Sequence, residues 1–160
     1  MRHVISVSVD NEPGVLSRVT GLFSGRGFNI ESLCVAPTID PDVSHITLVT
    51  TGNEMIIEQI IKQLRKLINV IKVVDLTATE HVEREMALVK VKAEDRQRAE
   101  VLRIADIFRC RVVDVSPASY TLEITGTTEK LNAVLGLLKT IGIQEVVRSG
   151  SLAIQRSRKD

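Results

Sequence analysis

Between Asp10 and Leu16 the chain reads Asp-Asn-Glu-Pro-Gly-Val-Leu, with a strand-like run before it and an amphipathic segment directly after it. The first turn of a helix presents unpaired backbone N–H groups and a partial positive charge. Pro13 suits the start of such a turn because its missing N–H needs no partner there. Gly14 has no Cβ, so a ligand or another backbone can approach closely. Asn11 offers a carbonyl and an amide together, a pair that reads an ammonium and a carboxylate at once. These residue types in this order describe a seat for a small zwitterion, carboxylate toward the helix start and ammonium toward carbonyl oxygens. They also fit a plainer turn in which Asp10 or Asn11 caps the helix and Gly14 only eases packing. The residues alone leave both readings open.

Other chemistry is hard to find. The sequence has no Gly-x-x-x-x-Gly-Lys-Ser/Thr phosphate cradle, and Gly21, Gly25 and Gly27 end a helix where a dinucleotide fold needs glycines that open one. His3, His45 and His81 are scattered without a Cys or carboxylate at metal-ligand spacing, and His3 and His45 read as partly exposed residues at strand starts. Cys34 and Cys110 stand alone, so neither a disulfide framework nor a metal knuckle is expected, and both read as small core hydrophobes. Glu83-Arg84-Glu85 reads as a solvated strand entrance, with a subunit contact as the alternative. The carboxylates form no catalytic set, and no metal site is expected.

Composition narrows the partners. Apolar residues make up 44% and charged residues 26% of the 160, with 21 basic against 20 acidic side chains. This balance leaves no one-sign patch for nucleic acid or an anionic membrane. Aromatics are 2%, too few to stack bases. The basic run Arg156-Ser157-Arg158-Lys159 reads as a frayed tail. No apolar run reaches the ~20 residues of a membrane span, and Met1-Arg2-His3 enters a strand pattern at once, so a cytoplasmic protein is expected.

The elements that position the junction follow from periodicity. Ile5, Val7 and Val9 alternate as a strand, and Val15, Leu16, Val19, Leu22 and Phe23 stripe a helix stopped by Gly25-Arg26-Gly27. Phe28 and Ile30 share one strand phase and Leu33 and Val35 the other, which predicts a bulge near Glu31 or Ser32. Strands through Ile46–Leu48 and Val70–Leu76 flank a helix capped by Asn53 and striped by Ile57, Ile60, Ile61 and Leu64. The order β-α-β-β-α-β then recurs. A strand at Ala87–Val91 is followed by a helix through Val101–Phe108 and a hairpin around Ser116–Ser119. A helix through Leu131–Leu138 and a strand at Ile143–Arg148 complete it. The fold class is α+β, with two consecutive ferredoxin-like βαββαβ domains. Residues 1–77 form the first, 78–84 a linker and 85–160 the second. Each is small, and its open sheet edges need covering, so a homodimer is expected.

The stretch Asn11 to Thr38, NEPGVLSRVTGLFSGRGFNIESLCVAPT, resembles the amino-acid-binding ACT domain. More narrowly, it resembles the small regulatory subunit of acetohydroxyacid synthase, also called acetolactate synthase. HVEREMALVKV (81–91), IFRCRVVDVSP (107–117) and VVRSG (146–150) resemble that subunit's second domain in the same order. The resemblance implies a non-catalytic partner of a large thiamine-diphosphate enzyme in branched-chain amino-acid synthesis. The small subunit would activate that enzyme and make it sensitive to valine, or to leucine or isoleucine. Thiamine diphosphate, Mg and FAD would belong to the catalytic subunit and none to this chain. Two copies would pair edge to edge with the effector between them. Asn11, Glu12, Pro13, Gly14, Val15 and Leu16 would contact it from one copy, and Asn29, Ile30 and Ala36 from the other. Gln59 matches a position tied to effector sensitivity in the family, and a solvated helix residue is its plainer reading. The rival is a stand-alone amino-acid sensor serving another enzyme or transcription; a transcription regulator needs a DNA-binding element that the two sheet domains leave no room for.

Overall fold

A computed structural model describes residues 1–158 and divides them into two compact units, so Lys159 of the basic tail lies outside the described residues. The first unit contains β1 (Arg2–Asp10), α1 (Val15–Ser24), β2 (Ile30–Pro37), β3 (Val43–Thr51), α2 (Glu54–Leu64) and β4 (Val70–Asp75). Its sheet is antiparallel in the order β2-β3-β1-β4, so β2 and β4 are its edges. The bulge predicted near Glu31 falls between Ile30 and Ser32. Ile5, Val7 and Val9 from β1 and Ile46 and Leu48 from β3 pack against Val19 and Phe23 of α1 and Ile57, Ile60 and Leu64 of α2. Burying side chains of this kind stabilises by ~1.5–3 kcal/mol each, enough to fix both helices on one face of the sheet. Asn53 caps α2 as its side chain predicts, accepting the Met55 N–H at 2.9 Å.

The second unit repeats the order. It comprises β5 (His81–Lys92), α3 (Arg98–Ile107), β6 (Arg111–Val115), β7 (Ser119–Gly126), α4 (Thr128–Ile141) and β8 (Ile143–Arg148), with sheet order β6-β7-β5-β8. Ala87, Val89, Val91, Leu122 and Ile124 face Val101, Ile104, Leu131, Val134 and Leu138 across the core. The two ferredoxin-like units expected from periodicity are therefore present.

Three expectations are corrected. First, the polar stretch 78–84 is only partly a linker, since β5 already begins at His81 and the division falls between Val82 and Glu83. The second unit also stops at Gly150, not 160. A short strand, β9 (Leu152–Gln155), pairs with β5, and its segment belongs to the first unit. There Ala153 packs with Val4, Val49 and Leu76 on the sheet face away from the helices. That face carries apolar residues needing cover, and a four-residue strand in a basic tail is too short to show a period.

Second, His3 is not a partly exposed pairing residue. It is 2% exposed, with Nδ1 3.6 Å from the Asp75 carboxylate. Third, Glu85 does not belong to a solvated entrance. It is 5% exposed and accepts two hydrogen bonds from Arg148, at 2.7 Å from Nε and 3.0 Å from Nη2. Arg148 also donates to Asn132 Oδ1 on α4, and Thr128 Oγ1 donates to Glu85, so the pair ties β5, β8 and the first turns of α4 together. The hydrogen bond to Glu85 holds the guanidinium pKa above its usual value. Removing one partner of a fully buried pair costs ~3–5 kcal/mol. Because the Arg148 side chain is 35% exposed, Arg148→Ala should cost less, about 2 kcal/mol, and lower Tm by several degrees. Glu85→Ala/Arg148→Ala together should recover part of that loss, and an unchanged Tm in the single variant would contradict the role given to the pair.

Candidate functional site

The β1–α1 junction is held from two sides. The Asn11 N–H donates to Asp42 O at 2.8 Å and its side-chain Nδ2 donates to Pro41 O at 2.9 Å, both on the β2–β3 loop. On the other side Asn69, in the α2–β4 loop, accepts from Arg18 Nη1 at 2.7 Å. It donates through Nδ2 toward Asp10 Oδ2 (3.4 Å) and Glu12 Oε2 (3.3 Å). Asn69 O also accepts the Asp10 N–H at 2.9 Å. Asn69, Arg18, Pro41 and Asp42 escaped sequence reasoning, because what recruits them is the meeting of the β1–α1 segment with two loops far away in the chain.

The helix start differs from expectation in a way that matters chemically. Gly14, at φ +85°, occupies the N-cap position of α1, so Pro13 lies in the turn before the helix and not in its first turn. Neither Asp10 nor Asn11 caps α1: no side chain hydrogen-bonds to its first turn, and no acidic residue lies there. The capped-turn reading therefore fails, and no carboxylate in the first turn of α1 offsets the partial positive charge of the helix start. A Cβ at Gly14 would meet nothing within 4 Å, so the space above the helix start is open. Asn11 commits one of its two amide N–H groups to Pro41 O, and its second N–H and Oδ1 remain for the bifunctional role. Val15 has only its backbone to offer a ligand, since its side chain is buried in the core, whereas Leu16 is exposed beside it.

The remaining predicted residues lie elsewhere. Ala36 is on β2 opposite His45 of β3, and Pro37 is opposite Ser44, which also faces Val9 of β1. Ala36 thus lies at the same end of the sheet as Asn11. Asn29 and Ile30 lie at the other end, because Ile30 pairs with Thr50 and Thr50 with His3. Eight residues of strand separate the levels of His3 and Asn11, about 26 Å at ~3.3 Å per residue. One copy cannot bring Asn29 to its own junction. Asn29 is exposed beside the edge strand β2, with its backbone O held by Thr50 Oγ1 at 2.8 Å. Gln59 is exposed on α2, and its Oε1 accepts from Arg26 Nη1 at 3.1 Å, in the turn that leads to Asn29.

Elsewhere in the first unit, His45 Nε2 lies 2.6 Å from Ser6 Oγ, and burial holds the imidazole pKa below its usual value. In the second unit burial pushes the half-buried Cys110 thiol up, which disfavours the reactive thiolate. Among the described residues no group of three or more His, Cys, Asp or Glu gathers to hold a metal, and no helix is long and apolar enough to cross a membrane.

Comparison with known proteins divides the chain near the same first boundary, between residues 72 and 84, while the second match runs past Gly150 to residue 157. The model of the AHAS small subunit-like ACT domain matches residues 5–72, and that of the small subunit of acetolactate synthase matches residues 84–157. An acetolactate synthase small subunit of Haemophilus influenzae is 50% identical, with 100% of this chain and 99% of that protein covered. The acetolactate synthase isozyme 3 small subunit of Escherichia coli is 49% identical over 99% of this chain and 98% of its own length. The crystal structure of the acetolactate synthase small subunit from Thermotoga maritima superposes with a TM-score of 0.90 at 38% identity, covering 99% of each chain. With an ACT domain at its N-terminus and relatives matched over the whole length, the chain belongs to the acetolactate synthase small subunit family.

Proposed function

We propose that the chain is the non-catalytic, regulatory subunit of a cytoplasmic acetolactate synthase, activating a large thiamine-diphosphate subunit and making it subject to feedback inhibition by valine. The observation that carries the inhibition is the uncapped start of α1 at an open Gly14, three residues after Asn11. The effector's carboxylate accepts from the first-turn N–H groups, and its ammonium donates to Asn11 Oδ1. Antiparallel pairing of two β2 edges brings the partner copy's Asn29 and Ile30 to the end of the sheet that carries Ala36 and the junction. Each dimer then holds two sites, each shared between copies.

The energetics suffice. An effector sensed at ~0.1–1 mM needs roughly 4–5.5 kcal/mol of binding. A few charge-assisted hydrogen bonds at ~1.5–3 kcal/mol each, with an isopropyl group buried at ~0.8 kcal/mol per carbon, exceed that before association costs. Regulation is then linkage: valine binds one dimer arrangement better and shifts an equilibrium that the catalytic subunit senses. Leucine and isoleucine differ from valine by one methylene, a discrimination of only ~1–3 kcal/mol, so the same seat admits all three.

The test is reconstitution. The chain should co-purify with a large thiamine-diphosphate subunit, raise its acetolactate output severalfold, and confer inhibition by valine that the large subunit alone lacks. Activation without inhibition by any branched-chain amino acid would overturn the effector half of the reading. No association would overturn the whole.

A further inference from the structure

β6 is the edge strand of the second unit, in the position that β2 holds in the first: the sheet orders are β6-β7-β5-β8 and β2-β3-β1-β4. All five residues of β6 are exposed, among them Val112, Val113 and Val115 (62%). Ile107, at the end of the preceding helix, is 67% exposed. An apolar, unpaired edge is a template for another strand.

The faces of β6 are fixed by its partner β7. Leu122 is in the core and Tyr120 packs against it, so Val112 and Val115, which pair with them, point to the helix side. Arg111 and Asp114 pair with Glu123 and Thr121 and point to the open side. Three positions apart in a regular strand, Arg111 and Asp114 would point to opposite faces. The register shift between Val112 and Asp114, with Val113 as the extra residue, puts them on one face.

We infer that β6 is a second self-pairing edge, joining two copies of this chain antiparallel around a two-fold axis through Val112. Residues opposite one another across an antiparallel pair share a face, so the axis must pass through a paired residue. Centred on Val112, it sets Arg111 opposite the partner's Asp114 twice on the open side, and Val112 against its own copy on the helix side. Centred on Asp114 it opposes two carboxylates; centred on Arg111, two guanidinium groups. Opposite charges across a pair stabilise and like charges destabilise, so the charge order of the strand selects the first register. A cation at one end and an anion at the other is also what an isologous interface requires of a single strand. The inference is independent of the amino-acid site.

The test uses the full chain with Cys34→Ser and Cys110→Ser. In that background Val112→Cys should form a covalent dimer on mild oxidation or with a short bis-maleimide, because cross-strand Cβ atoms lie ~4.5–5.5 Å apart. Adding Arg111→Asp or Asp114→Arg alone should lower the yield roughly tenfold through two like-charge contacts. Adding Arg111→Asp and Asp114→Arg together should restore it, and this recovery also shows that the single variants had not simply misfolded. No covalent dimer of Val112→Cys, or equal yields from the single and paired charge variants, would overturn the inference. So would an introduced thiol in Val112→Cys that only added catalytic subunit shields from alkylation.

Discussion

Gly14→Asp is expected to abolish inhibition by valine while leaving activation of the catalytic subunit intact. The substituted residue stands at the N-cap position of α1, where φ is +85° and a Cβ would project into open space. Its carboxylate then occupies the region proposed for the effector's own carboxylate and satisfies the helix start from within the chain. Two negative groups cannot share those N–H donors. Losing one or two charge-assisted hydrogen bonds at ~1.5–3 kcal/mol each and adding repulsion should move the inhibitory concentration by about 100-fold or more. The fold should survive. The left-handed conformation costs an ordinary residue ~1–2 kcal/mol, and an acidic group at a helix start returns ~0.3–1 kcal/mol of that. Gly14→Asn separates the causes, since it has the same shape and tolerates the same backbone conformation without the charge. Inhibition by valine measured on the reconstituted enzyme should be weakened in Gly14→Asn and absent in Gly14→Asp. Wild-type sensitivity in Gly14→Asp would remove Gly14 from the site.

The parts of this molecule that were legible in its sequence are those governed by local period. The stripes of α1, α2 and α4, the Asn53 cap and the bulge after Ile30 each depend on residues a few positions apart, where spacing and geometry are nearly the same information. What stayed hidden depends on contacts across the chain. Nothing near Asn69 marks it as the residue that joins Asp10, Glu12 and Arg18, and nothing near Glu85 announces Arg148. β9 is invisible for the same reason, because its place is set by Val4, Val49 and Leu76 and not by any period of its own. Within the candidate site, residue types indicated what the junction offers, but not which atoms remain available. Asn11 has an amide and a carbonyl in the sequence; only the structure commits one amide N–H to Pro41 and leaves the carbonyl. Gln59 likewise has a partner, Arg26, in a turn that periodicity treats only as a helix stop.

The proposed division of the site between two copies yields a prediction that no single-chain variant can make. In one copy the levels of Asn29 and Asn11 are about 26 Å apart along the sheet. Homodimers carrying Gly14→Asp should be insensitive to valine, and so should homodimers carrying Asn29→Ala, which removes a side chain while keeping the backbone O that Thr50 holds. When the two variants are unfolded together and refolded at equal amounts, about half of the dimers are mixed if pairing is random and isologous. In a mixed dimer one site receives both lesions. The other receives an intact Gly14 from one copy and an intact Asn29 from its partner. Inhibition should therefore return, with the original valine sensitivity, in up to about half of the reconstituted activity. A site contained within one copy forbids this, because every chain in the mixture carries a lesion. The control places both substitutions in one chain and mixes it with wild type. There the mixed dimer has a lesion in each site, so only the wild-type homodimers, about a quarter of the population under random pairing, respond to valine. Recovery in the first mixture with suppression in the second requires that the junction of one copy and Asn29 of the other hold the same molecule.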